Sequence, residues 1–146
     1  MRGRKGFGLM ELLVVLAILG ILVGIGTPAY LDYLRKGRRS EAMSFLNRVL
    51  GEQQKYRTQC GQYADTLTGA YSCAPGDYTL GLDTATTAEG FYNVLIMQAD
   101  ATGFTAQAVG QSSQADDAVD GNDCSRLTLE LNQGQVSHTP VVCWRQ

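Results

Sequence analysis

Apolar residues follow two regimes along this chain. From Phe7 to Leu31 the sequence FGLMELLVVLAILGILVGIGTPAYL carries a single charge, Glu11. As a helix, a run of about 25 residues is long enough to cross a hydrocarbon core of about 30 Å. A membrane span is therefore the first structural expectation. A cleaved secretory signal is the alternative, because basic residues precede the run and Gly24-Ile25-Gly26 has a small-x-small form. Against it stand the length of the run, the lack of an A-x-A site and the acid written into its opening.

Beyond the span the pattern becomes periodic. Asp32 to about Gln59 reads as a helix, with Ala42, Phe45, Leu46, Val49 and Tyr56 on one face. That stripe predicts packing against a sheet, with Glu41, Arg48, Glu52 and Lys55 in solvent. Gly61 to Gly90 is rich in Thr, Gly, Ala and Asp and reads as a long connecting loop, with only Tyr78-Thr79-Leu80 suggesting a short strand. Strands are expected at Phe91–Ile96, Gly103–Val109 and Arg126–Leu131, the last two alternating as half-buried antiparallel strands do. Asn132-Gln133-Gly134 is a turn, after which Gln135–His138 returns as a fourth, shorter strand. The fold class is α+β: one long helix, its N-terminal half spanning a membrane, packed on a small antiparallel sheet.

Composition sharpens this outline. The 146 residues suit one globular domain plus the special N-terminal segment. The formal charge is −2, but Arg2, Arg4 and Lys5 lie within the first five residues, and without them 9 basic side chains face 14 acidic ones. An acidic body argues against a general nucleic-acid binder. Cys60, Cys73, Cys124 and Cys143 lie outside the apolar segment and lack metal-site spacing, so two disulfides in an oxidising compartment are expected. Four cysteines allow three pairings, and composition does not choose among them. Basic residues on both sides of the span leave its orientation open, whereas disulfides require the C-terminal body to lie outside the cytoplasm.

Other chemistry finds little support. The chain has one histidine, His138, and no nucleophile-elbow, phosphate-loop or zinc-protease motif, so it does not read as an enzyme and no cofactor is implied. Asp116, Asp117, Asp120, Asn122 and Asp123 form an oxygen-rich loop, but Ala118 and Leu127 break the calcium-loop order, so a solvated acidic turn is expected and no metal. Pro28 lacks an N–H and crowds the carbonyl of Gly24, which predicts a kink or an unwound turn there. The basic run Arg35-Lys36-Gly37-Arg38-Arg39 has two readings: anchoring at headgroups and subunit contacts, or capture of an anionic partner such as DNA. The first is preferred, because no aromatic platform interleaves the charges. Trp144 is read as a lid on the sheet.

The stretch Lys5-Gly6-Phe7-Gly8-Leu9-Met10-Glu11-Leu12-Leu13-Val14-Val15 resembles the N-terminal signature of type IV pilins and the related pseudopilins. Gly8 departs from it, since a threonine is common at that position. The resemblance implies a cleaved prepilin leader over residues 1–6, cutting after Gly6 by prepilin peptidase and N-methylation of Phe7. Residues 7–31 would then form the membrane and fibre-core helix, and residues 32–146 a head with a disulfide-closed C-terminal region. In that family Glu11 would meet the methylated amine of Phe7 in a neighbouring subunit, and the Gly24–Pro28 stretch would partly melt in the filament. Physically, an acid in a membrane span is already a functional hypothesis.

The ending, Cys124-Ser125-Arg126-Leu127-Thr128-Leu129 followed by Cys143-Trp144-Arg145, resembles the C-terminal pattern of PilE-type minor pilins. With that resemblance, the expected bonds are Cys124–Cys143, the family's C-terminal bridge, and Cys60–Cys73, closing a short local loop after the helix. The implied function is a structural subunit, a minor pilin, of a filament serving adhesion, twitching motility or DNA uptake. Its partners would be other pilin subunits, the peptidase and the inner-membrane assembly machinery. It would be held in the inner membrane by a single span, head in the periplasm, before export into an extracellular pilus. The alternatives are a pseudopilin of a type II secretion system, or a subunit acting chiefly as a DNA- or surface-binding module.

Overall fold

The computed structural model describes residues 8–145, apart from the side chains of residues 28 and 29. Helix α1 runs from Leu9 to Cys60. It starts where the Gly8 carbonyl accepts the N–H groups of Glu11 and Leu12, at 3.1 and 3.2 Å. It ends at Gly61, whose φ of +79° suits a residue without a Cβ and whose N–H bonds back to the Arg57 carbonyl. The unwound turn expected at Gly24–Pro28 is not present in the single subunit, because the helix is unbroken through that stretch. Beside the proline, the Thr27 hydroxyl donates to the Val23 carbonyl at 2.6 Å.

The chain divides into two compact units, one up to Leu34 and one from Arg35 onward. In the first, α1 exposes apolar side chains on every face, from Leu9, Leu12 and Leu13 through Ile18, Leu22 and Ile25 to Leu31. This helix is long and apolar enough to cross a membrane. In the second unit the rest of α1 is amphipathic, burying Ala42, Met43, Leu46, Val49, Gln53 and Tyr56.

That stripe meets two sheets. The larger is antiparallel, formed by β4 (Tyr92–Ala99), β5 (Gly103–Gly110), β8 (Arg126–Asn132) and β9 (Gln135–Thr139), in the order β4-β5-β8-β9. Phe104, Ala106 and Ala108 of β5 and Leu127, Leu129 and Leu131 of β8 face the core, alternating with less buried neighbours. The four expected strands are present with ends shifted by up to three residues.

The smaller sheet corrects the reading of Gly61–Gly90 as a loop, although the short strand suggested at Tyr78–Leu80 is present within it. Strands β1 (Thr66–Thr68), β2 (Ser72–Ala74) and β3 (Asp77–Leu82) pair in the order β1-β3-β2, with β1 parallel to β3. Two of the three are only three residues long, too short for alternation to register, and their order comes from anchorage to the helix. Gln53 clamps the segment reciprocally: its amide donates to the Ala64 carbonyl and accepts the Ala64 N–H, both at 2.8 Å. Leu67 and Leu80 join the common core. Two further pieces complete the head, a hairpin of β6 (Ala118–Val119) and β7 (Asn122–Asp123), and the short helix α2 (Val141–Trp144).

Candidate functional site

The basic run after Leu34 does not form one cationic platform. Arg39 is buried and makes a bidentate pair with Asp117, Nε to Oδ2 and Nη2 to Oδ1, both at 2.9 Å. Its charge is spent inside the head, which removes it from the candidate anion contacts and corrects that expectation. Asp117 likewise leaves the solvated acidic turn, with its side chain only 1% exposed. Arg38 lies over the Phe91 ring, 3.6 Å from its centroid, and donates to the Ser113 hydroxyl at 2.8 Å. Its guanidinium is thus committed to the head surface. Arg35 is half-buried and Lys36 is exposed.

The ion pair belongs to a buried polar network that sequence reasoning missed. Gln114, fully buried, donates its amide N–H groups to the Tyr92 hydroxyl at 3.0 Å and to the Arg35 carbonyl at 3.3 Å. Burial raises the Tyr92 phenol above its ordinary value, against the opposing hydrogen bond from Gln114, so it stays protonated. The fit is close around this segment: a Cβ on Gly110 would lie 2.4 Å from the Gln114 carbonyl oxygen. No local pattern pointed to this network, because Arg39 and Asp117 are 78 positions apart.

The cysteines form Cys60–Cys73 and Cys124–Cys143. The two bonds occupy different environments. Cys124 and Cys143 are fully buried, whereas Cys60 is half-buried and Cys73 exposed. Beside the buried bond, Asp123 accepts hydrogen bonds from Ser125, which hold its carboxyl below the usual range. Trp144 packs against His138, ring centroids 4.2 Å apart, and donates its indole N–H to the Thr139 carbonyl. Among the described residues no three metal-ligating side chains gather.

At the other end, Glu11 lies in the first turn of α1 among exposed leucines and valines. Gly6 and Phe7, the expected positions of cleavage and methylation, lie outside the described residues. A carboxylate on an otherwise apolar, unpartnered helix is the feature that chemistry must account for.

An apolar helix with exposed side chains and one acid, continued by an amphipathic helix buried against a disulfide-braced antiparallel sheet, defines the type IV pilin class. Residues 28–128 match the family described as "Type IV minor pilin ComP, DNA uptake sequence receptor", and the chain belongs to it. Residues 1–27 match the prokaryotic N-terminal methylation motif. Among similar proteins, a fimbrial protein of Moraxella nonliquefaciens is 30% identical over 122 residues, 77% of each chain. The type IV major fimbrial protein FimA of Dichelobacter nodosus is 30% identical over 125 residues, covering 77% of this chain and 75% of its own. A type IV major pilin protein PilE1 of Neisseria gonorrhoeae is 35% identical over 72 residues, 49% of this chain and 44% of its own. The protein is a type IV pilus subunit and not an enzyme. Such subunits are held by an N-terminal membrane helix before assembly and end in the extracellular pilus.

Proposed function

We propose that this chain is a minor pilin whose head, carried on the pilus, captures duplex DNA in a sequence-selective way. The observation that carries the proposal is the family match across residues 28–128, which spans most of the head. Charge supports selectivity over general stickiness: from Arg35 onward nine basic side chains face twelve acidic ones. Non-specific DNA affinity comes almost wholly from neutralising phosphates, so an acidic head must gain its affinity from a few well-placed contacts. The cations available for them exclude Arg39 and Arg38 and include exposed Lys36, Arg48, Arg126 and Arg145.

In this reading prepilin peptidase removes residues 1–6, Phe7 is methylated, and Glu11 pairs with that amine in a neighbouring subunit. The head lies in the periplasm before assembly, where its disulfides form. In the assembled fibre, Gly24–Pro28 is the stretch where the helix yields.

The test is binding of a duplex library to the full processed chain in detergent micelles at two salt concentrations, followed by sequencing of retained DNA. Enrichment of a short common motif, weakened by neutralising Lys36, Arg48, Arg126 and Arg145 together while pilus number holds, is the expected result. Retention with no preferred sequence, or none at all, would leave a structural subunit without receptor function. Recovery of the protein only in the envelope, and never in sheared pili, would favour the pseudopilin alternative.

A further inference from the structure

The two disulfides of the head differ in access, and among the described residues a tyrosine hydroxyl lies beside one of them. Around Cys60–Cys73, the Tyr71 hydroxyl lies 3.3 Å from the Cys60 sulfur and 3.6 Å from the Cys73 sulfur, while donating to Gln59 Oε1 at 2.6 Å. Tyr71 is itself exposed, and its ring packs edge-on against Tyr56, centroids 5.4 Å apart. An open cavity of about 200 Å³ adjoins this corner, lined by Glu52, Lys55, Tyr56, Gln59, Tyr71 and Leu80. Cys124–Cys143 has none of this access, since both residues are fully buried.

From this geometry we infer that Cys60–Cys73 is a thiol-exchange site, which takes an external dithiol as its reductant. One thiolate of the dithiol attacks the sulfur of Cys73, an exposed residue, forming a mixed disulfide as the bond to Cys60 breaks. Cys60 leaves as a thiolate and is protonated to the thiol. Tyr71 assists at this point by turning its one hydroxyl proton from Gln59 Oε1 to the departing sulfur 3.3 Å away, and a hydrogen bond to a leaving thiolate speeds its departure. That help matters because Cys60 closes α1, and the negative end of a helix opposes a thiolate there. The second thiol of the reductant, as its thiolate, then attacks its own partner sulfur in the mixed disulfide. Cys73 is released and protonated. The protein disulfide has gained two electrons and two protons, and the dithiol has become a disulfide.

Reduction leaves the head folded. Gln53 still holds Ala64 at both its polar groups, Leu67 stays in the core and β1 stays paired with β3. The return through Ser72 keeps its pairing with β3 and the hydrogen bond that the Tyr56 hydroxyl donates to the Ser72 carbonyl.

The experiment treats the full processed chain in micelles with graded dithiothreitol in native buffer, quenches with iodoacetamide and digests with endoproteinase Asp-N. Cleavage before Asp65 and Asp77 separates Cys60 from Cys73, and cleavage before Asp123 keeps Cys124 with Cys143. Alkylation of Cys60 and Cys73 is expected at least about a hundredfold faster than of Cys124 and Cys143, which wait for opening of the core. Equal rates, or faster release of Cys124–Cys143, would overturn the assignment. Tyr71→Phe keeps the ring and removes the hydroxyl; it is expected to slow exchange at Cys60–Cys73 about threefold or more and leave the buried bond unchanged. An unchanged rate in that variant, or equal slowing at both bonds, would overturn the part given to Tyr71.

Discussion

Leu9–Leu34 and Arg35–Cys60 belong to one helix, yet they are stabilised by different things. The first stretch has apolar side chains all around, and those among the described residues are exposed. The second has an apolar stripe, and Leu46 and Val49 on it are fully buried against the sheet. Helical hydrogen bonds are the same in both, so the backbone does not account for the difference. A helix that is apolar on every face must be covered by lipid or by other subunits, whereas an amphipathic one is completed by its own domain. The first is built for assembly and the second for folding.

The sharpest way to break this contrast is to change Glu11, the one charge between Leu9 and Leu31. Glu11→Val should insert in the membrane normally and still be processed. Incorporation into filaments should fall about a hundredfold or more, because an amine left unpaired in an apolar fibre core costs about 3 kcal/mol or more. Quantitative immunoblots of sheared pili against the membrane fraction read this directly. Normal incorporation of Glu11→Val would sink the pairing, and Glu11→Gln tells whether charge or hydrogen bonding is needed.

Within the head, the largest effect on stability is expected at Arg39. Arg39→Ala leaves Asp117 buried and unpaired and should cost about 3–5 kcal/mol, measured by denaturant unfolding of the processed chain in micelles. Lys36→Ala, near in sequence but exposed, should stay within about 0.5 kcal/mol. If the two behaved alike, the basic run would be a uniform surface after all.

A third pair tests the contrast by packing alone. Leu46→Ala removes a fully buried side chain and should destabilise the head by about 2–5 kcal/mol. Leu16→Ala, on the exposed stretch, should leave head unfolding unchanged and act only on membrane retention or fibre strength.

The smallest effect is a pH dependence. Hydrogen bonds from the Thr102 hydroxyl and N–H and from the Gly103 N–H hold the Asp100 carboxyl below its usual range. A carboxyl depressed in the folded state adds stability above its unfolded value and loses it as pH falls through the folded one. Acid titration of head stability should therefore show a shallow decline below the usual carboxylate range, reduced in Asp100→Asn. Because Asp100 is exposed, solvent screening keeps the effect small.

Much of this protein was legible where one residue's neighbours in sequence are also its neighbours in physics. The span from Phe7 to Leu31, the stripe through Leu46 and Val49 and the alternation of Phe104, Ala106 and Ala108 are all local periodicities. Strands β1 and β2 escaped because three residues carry no period; Gln53 on the helix holds Ala64 just before β1, and Tyr56 and the Cys60–Cys73 bond hold β2. The basic run misled for the same reason. Arg38 and Arg39 differ in nothing visible along the chain.

Sequence alone determined that an apolar helix with one acid precedes a small α+β head, since side-chain polarity repeats at the helical and strand periods. Tertiary structure decided which cations remain free and which disulfide meets solvent. It paired Arg39 with a partner 78 positions away and set Cys60–Cys73 at the surface while closing the core over Cys124–Cys143. Long-range pairing and burial depend on how distant segments meet, and no local pattern carries that information.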